Sequence, residues 1–280
     1  MRKGKSLIVT VLLALSVILL VGCGNQSKAA DDDTIVVGSQ GSDLDIWEHI
    51  AKSSQAKKLG LNIKTKEITD GAQLNSATSQ GQVDVNAFQS WSYYKAYNKQ
   101  NPKGKLAALG TTYLEPLGIY SKKYKSVEDI PDGTTIAIAN NPANTSRGLL
   151  LLQEAGLITL KKGFGALDNT KDITANPKNL KFKEIDDTTG PRVLNDVPVV
   201  LISNTVALES GLHVLTDSIY HEKIDQSTKE NVNILATKNN ANYKKLVKLY
   251  HNKKIQEYIK KKYYGTKIEV NKPLTYLENK

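Results

Sequence analysis

Between Thr34 and Tyr264, short runs of β-branched and aliphatic residues alternate with segments of helical periodicity. Strands are predicted at 34–38, 62–69, 83–87, 117–120, 135–139, 181–185, 197–202 and 233–237. Helices are predicted at 43–59, 72–80, 91–101, 146–155 and, near the end, around 243–250 and 255–259. Such alternation implies βαβ units and sheets with helices on both faces. The run at 197–202 is apolar throughout, as expected of a strand that is buried on both faces.

The chain begins with a basic and then an apolar segment. The apolar stretch at 7–21 is shorter than the roughly 20 residues of a membrane-spanning helix. It ends in LVGC at 20–23, which resembles a bacterial lipobox. We therefore expect residues 1–22 to be a lipoprotein signal peptide and Cys23 to carry the lipid. The alternative is a plain secretory signal with a chance cysteine.

The remainder, 258 residues (280 − 22), is long enough for about two domains. Residues 23–33 are polar and read as a tether that carries the lipid anchor. The proline after Glu115 and the polar stretch at 225–230 are candidate crossovers. We predict a first lobe of 34–115 plus 232–280 and a second lobe of 116–231.

Composition excludes several classes of protein. The hydrophobic share of 40% is too high for a disordered chain, and a single cysteine cannot form an intrachain disulfide. The net charge of +10 comes from 38 basic and 28 acidic residues that are spread along the chain. The lysines of the last two helices are typical of a solvated face, and no nucleic-acid-binding motif accompanies them. No nucleic-acid partner is expected.

The motifs of common enzymes are absent from the sequence. The 4 histidines stand apart without metal-ligand spacing, and there is neither a GxSxG elbow nor a phosphate-binding loop. Asp186 and Asp187 form a carboxylate pair, but adjacent residues of a strand point to opposite faces, so we expect them not to share a substrate. No metal, cofactor or enzymatic activity is predicted.

Arg147 follows the polar stretch at 140–146, which leads from a strand into a helix. With Asn144 or Thr145 as the N-cap, Arg147 would lie in the first turn, where a cation opposes the helix dipole. An anion docked against the guanidinium would explain this placement, because arginine pairs carboxylates bidentately. The alternative is a surface arginine paired with a neighbouring acidic residue.

Six motifs occur in one order beside the lipobox. They are NAFQ at 86–89, TTYLEPLGIYS at 111–121, KSVEDIPDG at 125–133, RGLLLLQEAGL at 147–157, DITANPKNLKF at 172–182 and PRVLND at 191–196. With them the chain resembles the methionine-binding lipoprotein family (NlpA/MetQ-like), the lipid-anchored receptors of methionine ABC importers. The resemblance covers about residues 34–264. It implies a periplasmic-binding-protein-like α/β fold of two lobes, each a mixed, mainly parallel sheet flanked by helices, joined by two crossover strands with the ligand between them.

The resemblance also implies roles for single residues. Arg147 would hold the α-carboxylate of the ligand, and Phe88 and Tyr93 would wall its side chain. Asn233 would hydrogen-bond the backbone of the amino acid. For Phe88 the alternative is core packing, and on a shifted helix face Tyr94 would replace Tyr93.

The chain departs from the family at the predicted pocket. Ser90, followed by Trp91, stands where the family commonly has histidine, and Gly71 where it commonly has a tyrosine. The run of Ser203, Asn204 and Thr205 replaces Asn-Gly-Asn, so either Ser203 or Asn204 would grip the amino group. Losing two large side chains should enlarge the pocket unless Trp91 fills it, so the ligand is L-methionine or, alternatively, another amino acid or a small methionine-containing peptide.

The sequence thus predicts a monomeric receptor of an amino-acid ABC importer. It would be anchored to the outer face of the cell membrane through Cys23 and would deliver its ligand to a permease. A surface interaction protein, such as an adhesin that has lost the ligand, is the competing hypothesis, and an enzyme comes third.

Overall fold

The structure is a computed structural model that describes residues 34–224, 226–238 and 243–278. The predicted signal peptide, the tether and Cys23 lie outside the described residues. The strands are β1 (Thr34–Ser39), β2 (Asn62–Glu67), β3 (Val85–Ser90), β4 (Ala107–Thr111), β5 (Tyr113–Leu114), β6 (Leu117–Tyr120), β7 (Thr135–Ala139), β8 (Thr159–Leu160), β9 (Ile173–Ala175), β10 (Lys181–Ile185), β11 (Val199–Ser203), β12 (Tyr220–His221), β13 (Asn233–Thr237) and β14 (Ile268–Glu269).

These strands form two five-stranded mixed sheets. The first sheet has the order β2-β1-β3-β13-β4, with β1 parallel to β3 and β13 antiparallel to both of its neighbours. The second sheet has the order β10-β7-β11-β6-β12, with β7 parallel to β10 and β11 and the other pairs antiparallel. Two small antiparallel pairs, β14-β5 and β8-β9, lie outside them. The predicted two-lobed α/β fold with mixed sheets is confirmed.

The helices cover the sheets. They are α1 (Gly41–Lys52), α2 (Ser54–Lys58), α3 (Gly71–Ser79), α4 (Trp91–Gln100), α5 (Pro142–Glu154), α6 (Gly190–Val193), α7 (Asn204–Glu209), α8 (Val214–Asp217), α9 (Lys244–Tyr250), α10 (Lys253–Lys262) and α11 (Thr275–Glu278), with 3-10 turns at Thr170–Asp172, Asp187–Thr189 and Gln226–Asn231. The single helix predicted at 43–59 is wrong, because Ser53 is extended and separates α1 from α2. Its hydroxyl accepts the amide of Ala56 at 3.1 Å and so caps the new helix.

The second sheet is buried on both faces. Along β7, Ile136 and Ile138 pack into one apolar cluster, while Ala137 packs into the cluster on the opposite face. Along β11, Leu201 and Ile202 divide in the same way. This period of two explains why the strand sequence is apolar without interruption.

The C-terminal helices complete the core of the first sheet. Leu246 and Tyr250 of α9 and Ile255 of α10 pack with Trp47 of α1 in one cluster. The rings of Trp47 and Tyr250 lie 6.1 Å apart. The lysine-rich segment after 243 therefore contributes one apolar face to the core, as its periodicity predicts.

Within the described part of the chain, the backbone passes from one sheet to the other twice, between β4 and β6 and between β12 and β13. Glu115 lies in the first passage and Glu222 at the start of the second. Both side chains are buried, so these connections are parts of the packed structure. Among the described residues, no helix has the length and apolarity needed to cross a bilayer.

Candidate ligand-binding cleft

A cavity of about 230 Å³ is lined by residues from the strand ends of both sheets. Strands β3, β7, β10 and β11 end at its walls, as ligand sites of α/β proteins commonly do. Seven of the nine residues predicted to bind ligand line it: Gly71, Phe88, Ser90, Tyr93, Arg147, Ser203 and Asn233. Residues that are distant in sequence therefore meet at one site.

Phe88, Ser90 and Tyr93 are placed by the end of β3. Ser90 is the N-cap of α4, where its hydroxyl accepts the amide of Tyr93 at 3.2 Å. The rings of Phe88 and Tyr93 meet edge to face with centroids 5.7 Å apart. Buried side-chain amides fix the strand beneath them, with Gln89 Nε2 donating to Asn75 Oδ1 at 2.8 Å. The aromatic wall is thus held in place by the protein itself.

Gly71 begins α3 directly beneath these rings. A Cβ there would lie 2.7 Å from Phe88 Cε2 and 2.9 Å from the Tyr93 hydroxyl. The two rings therefore occupy the place of a side chain at this position. The enlargement expected from the missing tyrosine is not found beside Gly71, because its neighbours close over it.

Trp91 and Asn204 are placed outside the cavity lining. Trp91 is buried in an apolar cluster and stacks on Tyr94 at 5.1 Å between ring centroids. Asn204 is fully buried, and its Nδ2 donates to the Glu115 carboxylate at 2.9 Å. Of the two candidates for gripping the amino group, only Ser203 faces the cavity.

Helix α5 begins earlier than the sequence predicts. Asn141 is its N-cap, accepting the amide of Asn144 at 2.9 Å, and Pro142 occupies the first helical position. The predicted caps, Asn144 and Thr145, are wrong, because they already lie inside the helix. Arg147 therefore lies in the second turn, where the helix dipole opposes it less.

Arg147 reaches the cavity but is already paired with Glu222. Its Nε donates to Oε1 at 2.9 Å and its Nη2 to Oε2 at 2.5 Å. Nη2 also donates to the Glu115 carbonyl at 2.7 Å. Burial alone would lower the pKa of Arg147, but the Glu222 carboxylate outweighs it and the pKa is raised. Only Nη1 remains for a ligand, since it bonds to no other described residue.

Both Asp186 and Asp187 line the cavity, so the expectation that they lie on a strand and point to opposite faces is wrong. Strand β10 ends at Ile185, and Asp186 caps a 3-10 turn that contains Asp187. The alternation of a strand does not apply to residues in a turn. Asp187 Oδ2 accepts Nδ2 of Asn141 at 2.8 Å and of Asn144 at 2.6 Å.

A second group of charges adjoins the cavity, where Glu115 and Thr205 belong to the lining, and we call it the Lys267 cluster. Lys267 Nζ lies 3.0 Å from both Asp43 Oδ1 and Glu115 Oε2, and 2.9 Å from Thr205 Oγ1. Burial raises the pKa of Asp43, which also accepts from the Tyr113 hydroxyl. Burial would raise the pKa of Glu115 as well, but Lys267 and neighbouring donors lower it. Sequence reasoning missed this cluster, because its members are far apart in the chain.

The described residues contain no group of three or more side chains arranged to hold a metal ion. The cleft offers hydrogen-bond donors and acceptors, aromatic walls and carboxylates. These groups suit the reversible binding of a small polar molecule.

Comparison with known proteins identifies the relatives of this chain. Residues 35–271 match the NlpA lipoprotein family. The methionine-binding lipoprotein MetQ of Bacillus subtilis is 35% identical over 278 residues, which are 95% of this chain and 99% of that protein. A nutrient binding protein from Burkholderia cenocepacia, solved bound to methionine, is similar with a TM-score of 0.79 and 38% identity over 84% of this chain and 99% of that one.

A third relative is the substrate binding protein of a methionine transporter from Streptococcus pneumoniae. Its TM-score is 0.77 at 34% identity, over 85% of this chain and 95% of that one. The resemblance inferred from the motifs is confirmed over most of the sequence. The chain belongs to the NlpA lipoprotein family.

Proposed function

We propose that this protein is the lipid-anchored substrate-binding protein of an ABC importer and that it binds an amino acid, L-methionine first, in the cleft between its two sheets. The observation that carries the proposal is the convergence of seven predicted residues on one cavity. The relatives add support, since one was solved with methionine and another belongs to a methionine transporter. The same relatives favour a receptor over a surface interaction protein or an enzyme.

In this proposal Phe88 and Tyr93 wall the ligand side chain, and Asn233 and Ser203 hydrogen-bond its backbone. Arg147 contributes Nη1 to the carboxylate. Gly71 and Ser90 shape the wall around the two rings. Another amino acid, or a small methionine-containing peptide, remains the alternative ligand at the same site.

The lobes of the proposal are 34–115 plus 232–280 and 116–231, with the ligand closing them on each other by hinge motion. Cys23 would carry the lipid that holds the protein on the extracytoplasmic face of the cell membrane. Two acyl chains anchor far more firmly than one, at about 0.8 kcal/mol per buried CH₂. A monomer delivers the ligand to a permease in the same membrane.

Ligand binding is tested by thermal unfolding of the full-length chain, purified in detergent, with each amino acid and with methionine dipeptides. A ligand at 1,000 times its Kd adds about 4 kcal/mol to the free energy of unfolding, which raises the melting temperature clearly. We expect L-methionine to give the largest rise. A rise with another compound alone would reassign the cargo, and no rise with any of them would contradict the receptor function.

The anchor is tested separately. Cells that express the wild-type chain or Cys23→Ala are supplied with a labelled fatty acid and then fractionated into membranes and soluble material. We expect the wild-type protein to carry lipid and to be found in the membrane fraction. We expect the variant to carry no lipid, with its fold unchanged. A variant that stays lipid-labelled would contradict lipidation at Cys23.

A further inference from the structure

The charges that line the cleft are unbalanced. Four carboxylates, those of Asp70, Glu115, Asp186 and Asp187, face it together with one guanidinium, that of Arg147. Two of these groups are neutralised inside the protein. Lys267 lies 3.0 Å from Glu115, and Arg147 is paired with Glu222. Three aspartates therefore remain without a cation among the described residues.

Asp187 differs from the other two aspartates in which groups hold it, since Asp186 accepts the amide and the hydroxyl of Thr188 within its own turn. Asp70 accepts the amide of Gln73 at 2.7 Å as a helix cap, and Asp186 is exposed at the rim of the turn. Asp187 is held by two side-chain amides instead, those of Asn141 and Asn144. Asn141 is itself fixed as the cap of α5. The Asp187 carboxylate is thus preorganised by neutral donors.

The side-chain donors around this carboxylate engage one of its two oxygens, and the backbone amide of Thr188 is a further donor that lowers its pKa. Both side-chain amides donate to Oδ2, and no side chain of the described residues donates to Oδ1. No lysine or arginine of the described residues forms a salt bridge with Asp187. Burial raises the pKa of Asp187, and the same carboxylate helps to raise the pKa of Tyr93 across the cleft. A cation in the cleft would relieve this cost of burial.

Asp187 and Arg147 line the same cavity wall. Asn144 stands three positions before Arg147 on α5, so the two side chains share a face of the helix. Asp187 and Arg147 both line a small cavity that also contains Ser203, yet they do not bond to each other. An acceptor for a cation and a donor for an anion thus line one cavity, as the two charged groups of an amino acid require.

We propose that Asp187 accepts the primary ammonium group of the ligand, an inference that rests on the proposed function and assigns a further specificity residue to the same cleft. Because Glu222 already compensates Arg147, the ammonium group is the stronger of the two charged anchors. The cleft then selects against ligands whose nitrogen is acylated. The ammonium can belong to free methionine, to the N-terminus of a dipeptide or to a lysine side chain.

The test is isothermal titration of the full-length chain in detergent with five probes: L-methionine, N-acetyl-L-methionine, L-methioninamide, glycyl-L-methionine and L-lysine. Wild type is compared with Asp187→Asn, and Asp196→Asn, at an exposed aspartate away from the cleft, is the matched control. We expect Asp187→Asn to weaken the best probe about tenfold to a hundredfold, the range for a hydrogen bond to a charged group. The control should change it less than about twofold, as surface substitutions do.

Titration of the five probes into the wild-type protein tests the role of Asp187 without any substitution. N-acetyl-L-methionine should lose more affinity relative to L-methionine than L-methioninamide does, and the best of L-methionine, the dipeptide and L-lysine identifies the source of the ammonium. Unchanged binding by Asp187→Asn, or equal binding of the acetylated probe, overturns the role of Asp187 and leaves the receptor intact. A wild type that binds none of the five probes overturns the proposed function and this role with it.

Discussion

Two acidic regions of the molecule lie a short distance apart and differ in one respect. In the Lys267 cluster, the carboxylates of Asp43 and Glu115 share one ammonium group whose side chain is 0% exposed. At the cleft, the side chains that donate to the Asp187 carboxylate are neutral amides, and no cation of the described residues pairs with it. The first region thus has a lysine within its hydrogen-bonded cluster, whereas Asp187 has no cation among the described residues.

This difference distinguishes charged groups that stabilise the fold from a charged group that can bind a ligand. Buried ions are tolerated when partners and hydrogen bonds compensate them, and the cluster meets this condition within the chain. A preorganised carboxylate without a cation is costly unless a ligand supplies the charge. Carboxylates therefore stabilise the fold where a lysine pairs with them, as in the Lys267 cluster. Asp187, which has no lysine partner among the described residues, is available to bind a ligand.

The largest expected effect is the loss of stability when the Lys267 cluster is changed. Lys267→Met leaves Asp43 and Glu115 buried without a cation, which should lower the free energy of unfolding by about 3–5 kcal/mol. Denaturant unfolding of the ligand-free protein measures this loss. Lys262→Met is the control, because Lys262 forms an exposed pair with Asp45 at 2.9 Å, worth about 0–1 kcal/mol. Equal losses in both variants would show that the cluster is not structural.

Glu222→Gln tests the charge balance at the cleft itself, because it removes the carboxylate that compensates Arg147. We expect affinity for L-methionine to rise relative to L-methioninamide by about threefold to tenfold, the worth of a stronger charge-assisted contact. The same variant should lose stability, since it leaves a buried guanidinium unbalanced. Titration with both ligands measures the ratio. Glu154→Gln, at an exposed glutamate, is the control, and an unchanged ratio would contradict the compensation.

Gly71→Ala tests the wall of the cleft. The added Cβ would meet Phe88 and Tyr93 at 2.7 and 2.9 Å, so the rings must shift. Such overpacking costs about 1–3 kcal/mol, and we expect it mainly as weaker ligand binding. Gly165→Ala is the matched control, because its nearest neighbour to an added Cβ is Asp168 Oδ2 at 3.8 Å. Equal affinities of the two variants would place the rings outside the binding wall.

The smallest effect concerns pH. The folded state raises the pKa of Asp187 above its ordinary 3.8, so the folded protein loses stability as the pH rises from that value through the raised pKa. Ligand-free Asp187→Asn avoids this loss and should melt slightly higher than wild type at neutral pH, with the difference vanishing below the ordinary pKa. Melts at several pH values measure it, and Asp196→Asn controls for the charge lost. A difference that grows toward low pH would contradict the assignment.

Local pattern determined the secondary structure and the fold class. The period of two in β7 and β11 and the helical period of α9 and α10 arise from neighbours in the chain, so they are legible in the sequence. The motifs around Phe88 and Arg147 located the cleft for the same reason. The helix boundaries at Ser53 and Asn141 were missed because each depends on a single N-cap residue. Several polar residues nearby could equally have been the cap.

Only the tertiary structure decided which charges are paired. Glu222 meets Arg147 from 75 positions away, and Lys267 meets Glu115 from 152 positions away. It also turned Asp187 into the cleft, because the strand ends at Ile185 instead of continuing. Coulomb energy depends on distance in space and on burial, and neither is encoded by spacing along the chain. The sequence by itself therefore determined the family and the cleft, while the folded chain decided which part of the ligand the cleft can grip.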